Sequence, residues 1–78
     1  MKTRYRVGDI LALNVDSKTS YYYVYNIDRK RRPEVAPLTF TFEHGPVWDS
    51  NPDYAQTLHW SKALRTWQVF GLPVTLLS

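Results

Sequence analysis

The stretch that most limits the fold is residues 21–33, YYYVYNIDRKRRP. β-Branched and aromatic side chains favour a pleated strand, so residues 21–27 are predicted to form one. The cations that follow, Arg29, Lys30, Arg31 and Arg32, are predicted to form a hairpin tip. Pro33 then begins the next strand, so the stretch predicts two antiparallel strands joined by a basic turn.

The predicted strand divides its tyrosines between two faces, because successive side chains of a strand point to opposite sides. Ile27 marks the core side, and that side carries Tyr21, Tyr23 and Tyr25. A chain of 78 residues needs most of its large side chains to build a stable core. These three tyrosines are therefore expected to be structural, and Tyr22, on the opposite face, is the tyrosine expected to be available to a partner.

The remaining elements are predicted from periodicity and turn signals. Strands are expected at residues 2–7, 10–15, 33–42 and 74–77, with residues 16–20 as a five-residue connection. Pro33 and Pro37 lack a backbone donor, which places the first half of the fourth strand at an edge or bulge. A helix is expected after a cap formed either by Ser50 with Asp53, as a capping box, or by Asn51-Pro52. Its predicted core stripe is Trp60, Ala63, Leu64 and Trp67. The order is β-β-β-β-α-β, an α+β and mainly β chain.

Two segments carry resemblances to known folds. RVGDILALNV and YYYVYNI, about a third of the chain, resemble a small SH3-like barrel, so an antiparallel barrel or curled sheet is expected. GDILAL, RRP and VAPLT are similar to segments of the MazF-type toxins, which are small-barrel ribonucleases. That likeness implies roles for Arg32 and Thr39. In the family the last two segments are separated by a loop and a strand, whereas here they are adjacent, so a ribonuclease is the alternative and a non-catalytic protein the main expectation.

Composition narrows the class of protein. There is no cysteine, so neither disulfides nor thiolate metal sites are expected. No apolar run reaches the ~20 residues needed to span a bilayer, and the N-terminus lacks the apolar core of a signal peptide. The two histidines fit no metal motif, and Glu43, His44 and Asp49 are expected to be solvated loop residues rather than an acid/base group. A single cytoplasmic domain, residues 1–78, without cofactor or metal is predicted, and a homodimer is plausible for so small a core.

Charge is unevenly distributed along the chain. Residues 1–32 hold eight Lys/Arg and three Asp, and residues 33–78 hold two Lys/Arg and four Asp/Glu, giving +5 and −2. A basic half suits a polyanion or an acidic protein surface. Trp48 lies in a loop where no periodicity predicts burial; an exposed anchor and a lid over the core are both open.

Two functions follow as expectations. The first is backbone-dominated binding of RNA or another single-stranded nucleic acid. The second is binding of a protein partner, as an adaptor or inhibitor of the phage, immunity or anti-defence type. The predicted binding residues are the same for both: Lys2, Arg4, Arg6, Tyr22, Arg29, Lys30, Arg31, Arg32 and Trp48.

Overall fold

The computed structural model describes residues 4–77, which form nine antiparallel strands and one 3₁₀ turn, Pro52–Tyr54. The mainly β, antiparallel character predicted from the sequence is confirmed. The strands are β1 (Ile10–Val15), β2 (Lys18–Ile27), β3 (Pro33–Thr41), β4 (Gly45–Trp48), β5 (Gln56–Thr57), β6 (His59–Ser61), β7 (Thr66–Val69), β8 (Leu72–Pro73) and β9 (Thr75–Leu76).

The strands form two sheets that share one core. Sheet A has the order β4-β3-β2-β1-β9, with β5 added beside the start of β3, and sheet B has the order β6-β7-β8. The core joins alternate residues of β1, β2 and β3 to residues of β7 and the connecting segments. Its buried members are Tyr5, Leu11, Leu13, Val24, Val35, Leu58, Trp67, Val69 and Val74. The predicted closing strand is present as β9, which pairs with β1.

The predicted helix is wrong. Residues 56–69 form β5, β6 and β7, and no α-helix occurs in residues 4–77. Trp60 and Trp67 are directly opposite each other across the β6–β7 pair, with ring centroids 5.4 Å apart and planes at 73°. A cross-strand aromatic pair of this kind stabilises a hairpin, and Leu64, assigned to the same helical stripe, is exposed in its turn. The two sheets are separate, so a closed barrel is not confirmed either.

The predicted first strand is also wrong in the part that the structure describes, because residues 4–9 form no strand. The segment nevertheless runs beside β2: the Gly8 amide donates to the Val24 carbonyl at 2.8 Å, and the Val24 amide donates to the Asp9 carbonyl at 3.0 Å. Tyr5 is buried in the core. Lys2 lies outside the described residues.

The connection between β1 and β2 is shorter than predicted. Val15 pairs with Lys18, so only Asp16 and Ser17 form the turn, and residues 18–20 belong to β2. Asp16 has φ 56°, a left-handed conformation that aspartate tolerates better than most side chains.

β3 is an interior strand, so of the two positions predicted for its first half, an edge or a bulge, the edge is wrong, and a bulge of β2 lies opposite Glu34 and Val35. β3 pairs with β2 on one side and with β4 and β5 on the other. The carbonyls of Pro33 and Pro37 accept hydrogen bonds from Leu58 and Asp49, on the β4–β5 side. In an antiparallel strand the nitrogen and carbonyl of one residue face the same neighbour. Both proline nitrogens therefore point to the side where the partner strand is interrupted, and β3 accommodates them.

Candidate functional site

A β-bulge reverses the faces predicted for β2. Val24 pairs with Val35, but Asn26 pairs with Glu34, so β2 has one residue more than β3 at Tyr25. An extra residue shifts the alternation of side chains beyond it. Ile27 therefore packs against the same core as Val24, three residues earlier. Since Ile27 was the reference for the core side, the faces assigned to the residues before the bulge are wrong.

The side of sheet A that faces away from the core is called the outer face here. It carries Tyr21, Tyr23 and Tyr25 of β2, and, by cross-strand pairing, Ala36, Leu38, Phe40 and Trp48 of β3 and β4. Tyr22 lies on the inner side, half-buried against the core, and burial raises the pKa of its hydroxyl. The prediction that Tyr22 is the outward tyrosine is therefore wrong. The three tyrosines expected in the core are the outward ones.

The rings of the outer face stack on one another. Tyr21 meets Phe40 edge-on, with centroids 5.3 Å apart and planes at 87°. Trp48 lies nearly parallel to Tyr23 at 5.4 Å and 20°, and to Tyr25 at 5.5 Å and 3°. The indole reaches these tyrosines across β3, where the small side chain of Ala36 leaves room. Each such pair stabilises the fold by about 0.5–1.5 kcal/mol beyond the contribution of its buried area. The ring contacts therefore offset part of the cost of leaving aromatic side chains on a solvent-facing side of the sheet.

The outer face is open to solvent in its aromatic part. Trp48 is 39% exposed and Phe40 54% exposed, while the three tyrosines are half-buried. Trp48 therefore has the exposure expected of an anchor, and it does not lie over the core as a lid. Phe42 continues beyond the end of β3 and is fully exposed. A contiguous patch of exposed rings on a small domain marks a binding surface more often than chance exposure does.

The tip of the β2–β3 hairpin, residues 28–32, is organised by Asp28. Its Oδ1 accepts hydrogen bonds from the amides of Lys30 (2.9 Å) and Arg32 (2.7 Å), and its Oδ2 accepts one from Arg32 Nε (2.8 Å). These bonds, led by the Arg32 amide, hold the pKa of Asp28 below its ordinary value. Of the four predicted cations, Arg32 is thus neutralised locally. Arg29, Lys30 and Arg31 are exposed, and none has an ion pair within residues 4–77.

Arg4 and Arg6 precede a tight turn at Val7-Gly8, in which the Asp9 amide donates to the Arg6 carbonyl at 3.0 Å and the Arg6 amide donates to Asp9 Oδ2 at 2.8 Å. Both arginine side chains are exposed, although they do not form the predicted strand. Arg29, Lys30 and Arg31 are likewise exposed, so five of the predicted binding cations lie on the surface of the described residues.

Glu34 is an outer-face residue that the sequence did not single out. It precedes Val35 of the core, and its Oε1 accepts a hydrogen bond of 2.7 Å from Asn26 Nδ2 across the bulge. It lies close enough to Tyr25 that, after burial, its charge further raises the pKa of that tyrosine. The bulge brings these three side chains together, and no spacing in the sequence signals it.

Within residues 4–77, the residues that the ribonuclease alternative would need lie apart. Arg32 and Thr39 lie at opposite parts of an extended segment, about 20 Å apart at ~3.3 Å per residue. His44 Nε2 is 3.7 Å from Glu43 Oε2 in an exposed turn, whereas Asp49 Oδ1 accepts from the Asn51 amide instead. Residues 4–77 contain no group of three or more His, Asp or Glu side chains placed to bind a metal, and no helix able to cross a bilayer.

Comparisons with known proteins find no relative: no protein-family model, curated protein or solved structure matches this chain. The functional interpretation therefore depends on the geometry of the outer face and the tip.

Proposed function

We propose that the protein binds single-stranded nucleic acid, with bases stacked on the outer face and phosphates at the tip. The observation that carries this proposal is the continuity of β2. One strand presents Tyr21, Tyr23 and Tyr25 and then runs directly into a turn with three exposed cations. Aromatic platforms beside a positive groove are the common means of binding single strands.

The exposed rings favour single strands over duplexes. Every base has a π-face, but in a duplex that face is covered by neighbouring bases, so only unstacked bases can lie on Trp48 or Phe40. The phosphates would then lie toward Arg29, Lys30 and Arg31. With about three phosphates neutralised, log K should fall with log salt at a slope near −2, since each contributes about −0.7 on single strands.

The test compares the affinity of the protein and its variants for short single-stranded DNA and RNA at two salt concentrations. Trp48→Ala should weaken binding by about tenfold, because base–aromatic stacking contributes about 1–3 kcal/mol per base. Phe70→Ala removes a ring that is more exposed, 66% against 39% for Trp48, but lies on the other sheet, and it should leave affinity unchanged. Replacing Arg29, Lys30 and Arg31 together by Ser should flatten the salt dependence.

The proposal is wrong if the native protein binds no single strand, or if Trp48→Ala binds as tightly as Phe70→Ala. A protein partner is the second candidate, favoured by the fully exposed Phe42 beside Phe40, since exposed aromatic residues are frequent interface anchors. In that case a polypeptide would co-purify with the protein and be lost with Trp48→Ala, while nucleic acid would not bind.

The ribonuclease alternative gains no support from the placement of its residues. Arg32 is engaged by Asp28, and Thr39 lies far along β3. A cytoplasmic location and a homodimer are retained as proposals from the composition of the chain.

A further inference from the structure

We infer that Glu34 reads a base on the outer face and favours guanine; this inference rests on the nucleic-acid binding proposed above. It begins from the position of the carboxylate. Glu34 lies beside Tyr25, on the side of β3 that carries the stacked rings, and close to the tip that would hold the phosphates.

The acceptor atoms of this site are available. Glu34 Oε1 accepts one hydrogen bond from Asn26 Nδ2, at 2.7 Å. Within residues 4–77, no hydrogen bond engages Glu34 Oε2 or Asn26 Oδ1. An ionised carboxylate only accepts hydrogen bonds, and each oxygen can accept two. The carboxylate therefore presents only acceptors next to the rings, and the second N–H of Asn26 Nδ2 is the one donor of the pair.

Guanine is the base that matches this arrangement. Its Watson–Crick edge carries two adjacent donors, N1–H and the N2 amino group, which a carboxylate can accept side by side. Adenine and cytosine place an amino donor next to a ring acceptor, and uracil flanks its one N–H with two carbonyls. A carboxylate facing those edges meets at least one acceptor, which disfavours them. Bases in single strands expose this edge to a protein.

The charge of Glu34 also sets the orientation of the bound nucleic-acid strand on the outer face. A carboxylate repels phosphate, and three cations lie just beyond it at the tip. The backbone is thus directed to Arg29, Lys30 and Arg31, and the base is directed to the rings and Glu34. A negative side chain beside a basic tip is otherwise unfavourable for binding a polyanion, so the position of Glu34 next to the rings supports a role in contacting a base.

The decisive variant is Glu34→Gln. Glutamine keeps an acceptor oxygen for Asn26 Nδ2, so the contact across the bulge is preserved, but it replaces the second acceptor with a donor. Glu43→Gln is the matched control, because Glu43 lies in the β3–β4 turn with its side chain 86% exposed. Neither substitution touches the core.

The probes are oligouridines of about seven nucleotides, within the site size of small single-strand-binding domains. Their central base is U, A, C, G or inosine, and affinity is measured by fluorescence anisotropy at one salt concentration. The native protein should prefer the G probe over U, A and C by roughly tenfold, as expected for one bidentate base contact. Inosine, which lacks the N2 amino group, should be intermediate. Glu34→Gln should abolish the preference without weakening binding to the U probe, and Glu43→Gln should retain it.

Two results would overturn the inference: no preference for G in the native protein, or a preference that survives in Glu34→Gln. If all probes bind with equal affinity and Trp48→Ala weakens the binding of every probe, the proposed stacking is supported and the inferred recognition of guanine by Glu34 is wrong. If the native protein binds none of the probes, the function proposed above fails first.

Discussion

The two faces of sheet A use neighbouring residues of the same strands in opposite ways. On the inner face Leu11 and Val24 are fully buried, and Tyr22 packs against them. On the outer face Tyr23 stacks on Trp48 and remains half-buried. The core side of sheet A is thus mainly aliphatic, with Tyr5 and Trp67 added from other segments, while the rings of the outer face cover one another. High aromatic content in a small protein is therefore no measure of how many rings its core contains.

The largest expected effect comes from deleting a side chain on the inner face. Leu11→Ala should lower the free energy of unfolding by about 2–5 kcal/mol, because it removes a fully buried side chain and leaves a cavity. Phe40→Ala, on the outer face, removes a larger side chain that is half exposed and should cost about 1 kcal/mol, the value of its ring contact with Tyr21. Urea unfolding measures both. Equal losses would show that the two faces contribute alike to stability.

A smaller effect is expected at an exposed ring that belongs to neither face. Phe70 and Gly71 form the two-residue turn between β7 and β8, with φ 52° and 74°. Positive φ at both positions is favourable for Asn-Gly and unfavourable for phenylalanine. Phe70→Asn should therefore stabilise the fold by about 1 kcal/mol, which raises Tm by roughly 4–8 °C in a domain of this size.

The control for this turn is Gly71→Ala. No atom lies within 4 Å of the added Cβ, so any loss of stability reflects its φ of 74° alone. A decrease in Tm on Phe70→Asn would contradict the prediction and show that the ring is held by contacts.

The smallest effect concerns the pH dependence of the tip. Hydrogen bonds from Arg32 and Lys30 lower the pKa of Asp28 in the folded protein, relative to its ordinary value of 3.8. A carboxyl group with a lowered folded pKa stabilises the fold above its unfolded pKa, and the contribution is lost as pH falls through the folded pKa. Acidification below 3.8 should therefore weaken the tip, seen by NMR as faster exchange of the Arg32 amide.

Asp28→Asn is the comparison for that titration. It keeps a side-chain oxygen for the amides of Lys30 and Arg32 but cannot titrate, so Arg32 exchange should lose its acid-dependent step. A step that persists in the variant would assign it to another carboxyl group.

Most strands of sheet A were predictable because their signals are local. The aromatic and β-branched run of β2, the apolar run of β1 and the polar tip each specify an element without reference to distant residues. The face of each side chain was not predictable in the same way. It depended on Ile27, and a one-residue bulge at Tyr25 reversed the parity, an effect that only pairing with β3 reveals.

The helix was mispredicted for a related reason. Trp60 and Trp67 are seven residues apart, a spacing that suits two helical turns and equally suits opposite positions of a hairpin with a four-residue connection. Tertiary pairing decided between the two. The candidate site was only partly predictable for the same reason. Its cations can be identified in the sequence, but the rings and Glu34 come together on one face only through the pairing register of the strands.

The distribution of the three tryptophans gives the molecule two separate optical reporters. Trp60 and Trp67 face each other within the small sheet, where their fluorescence follows unfolding, while Trp48 is the only indole on the other side of sheet A among the residues described. A Trp48→Phe variant would therefore emit only from the interior pair, and the difference spectrum would report ligand occupancy at the surface without a label.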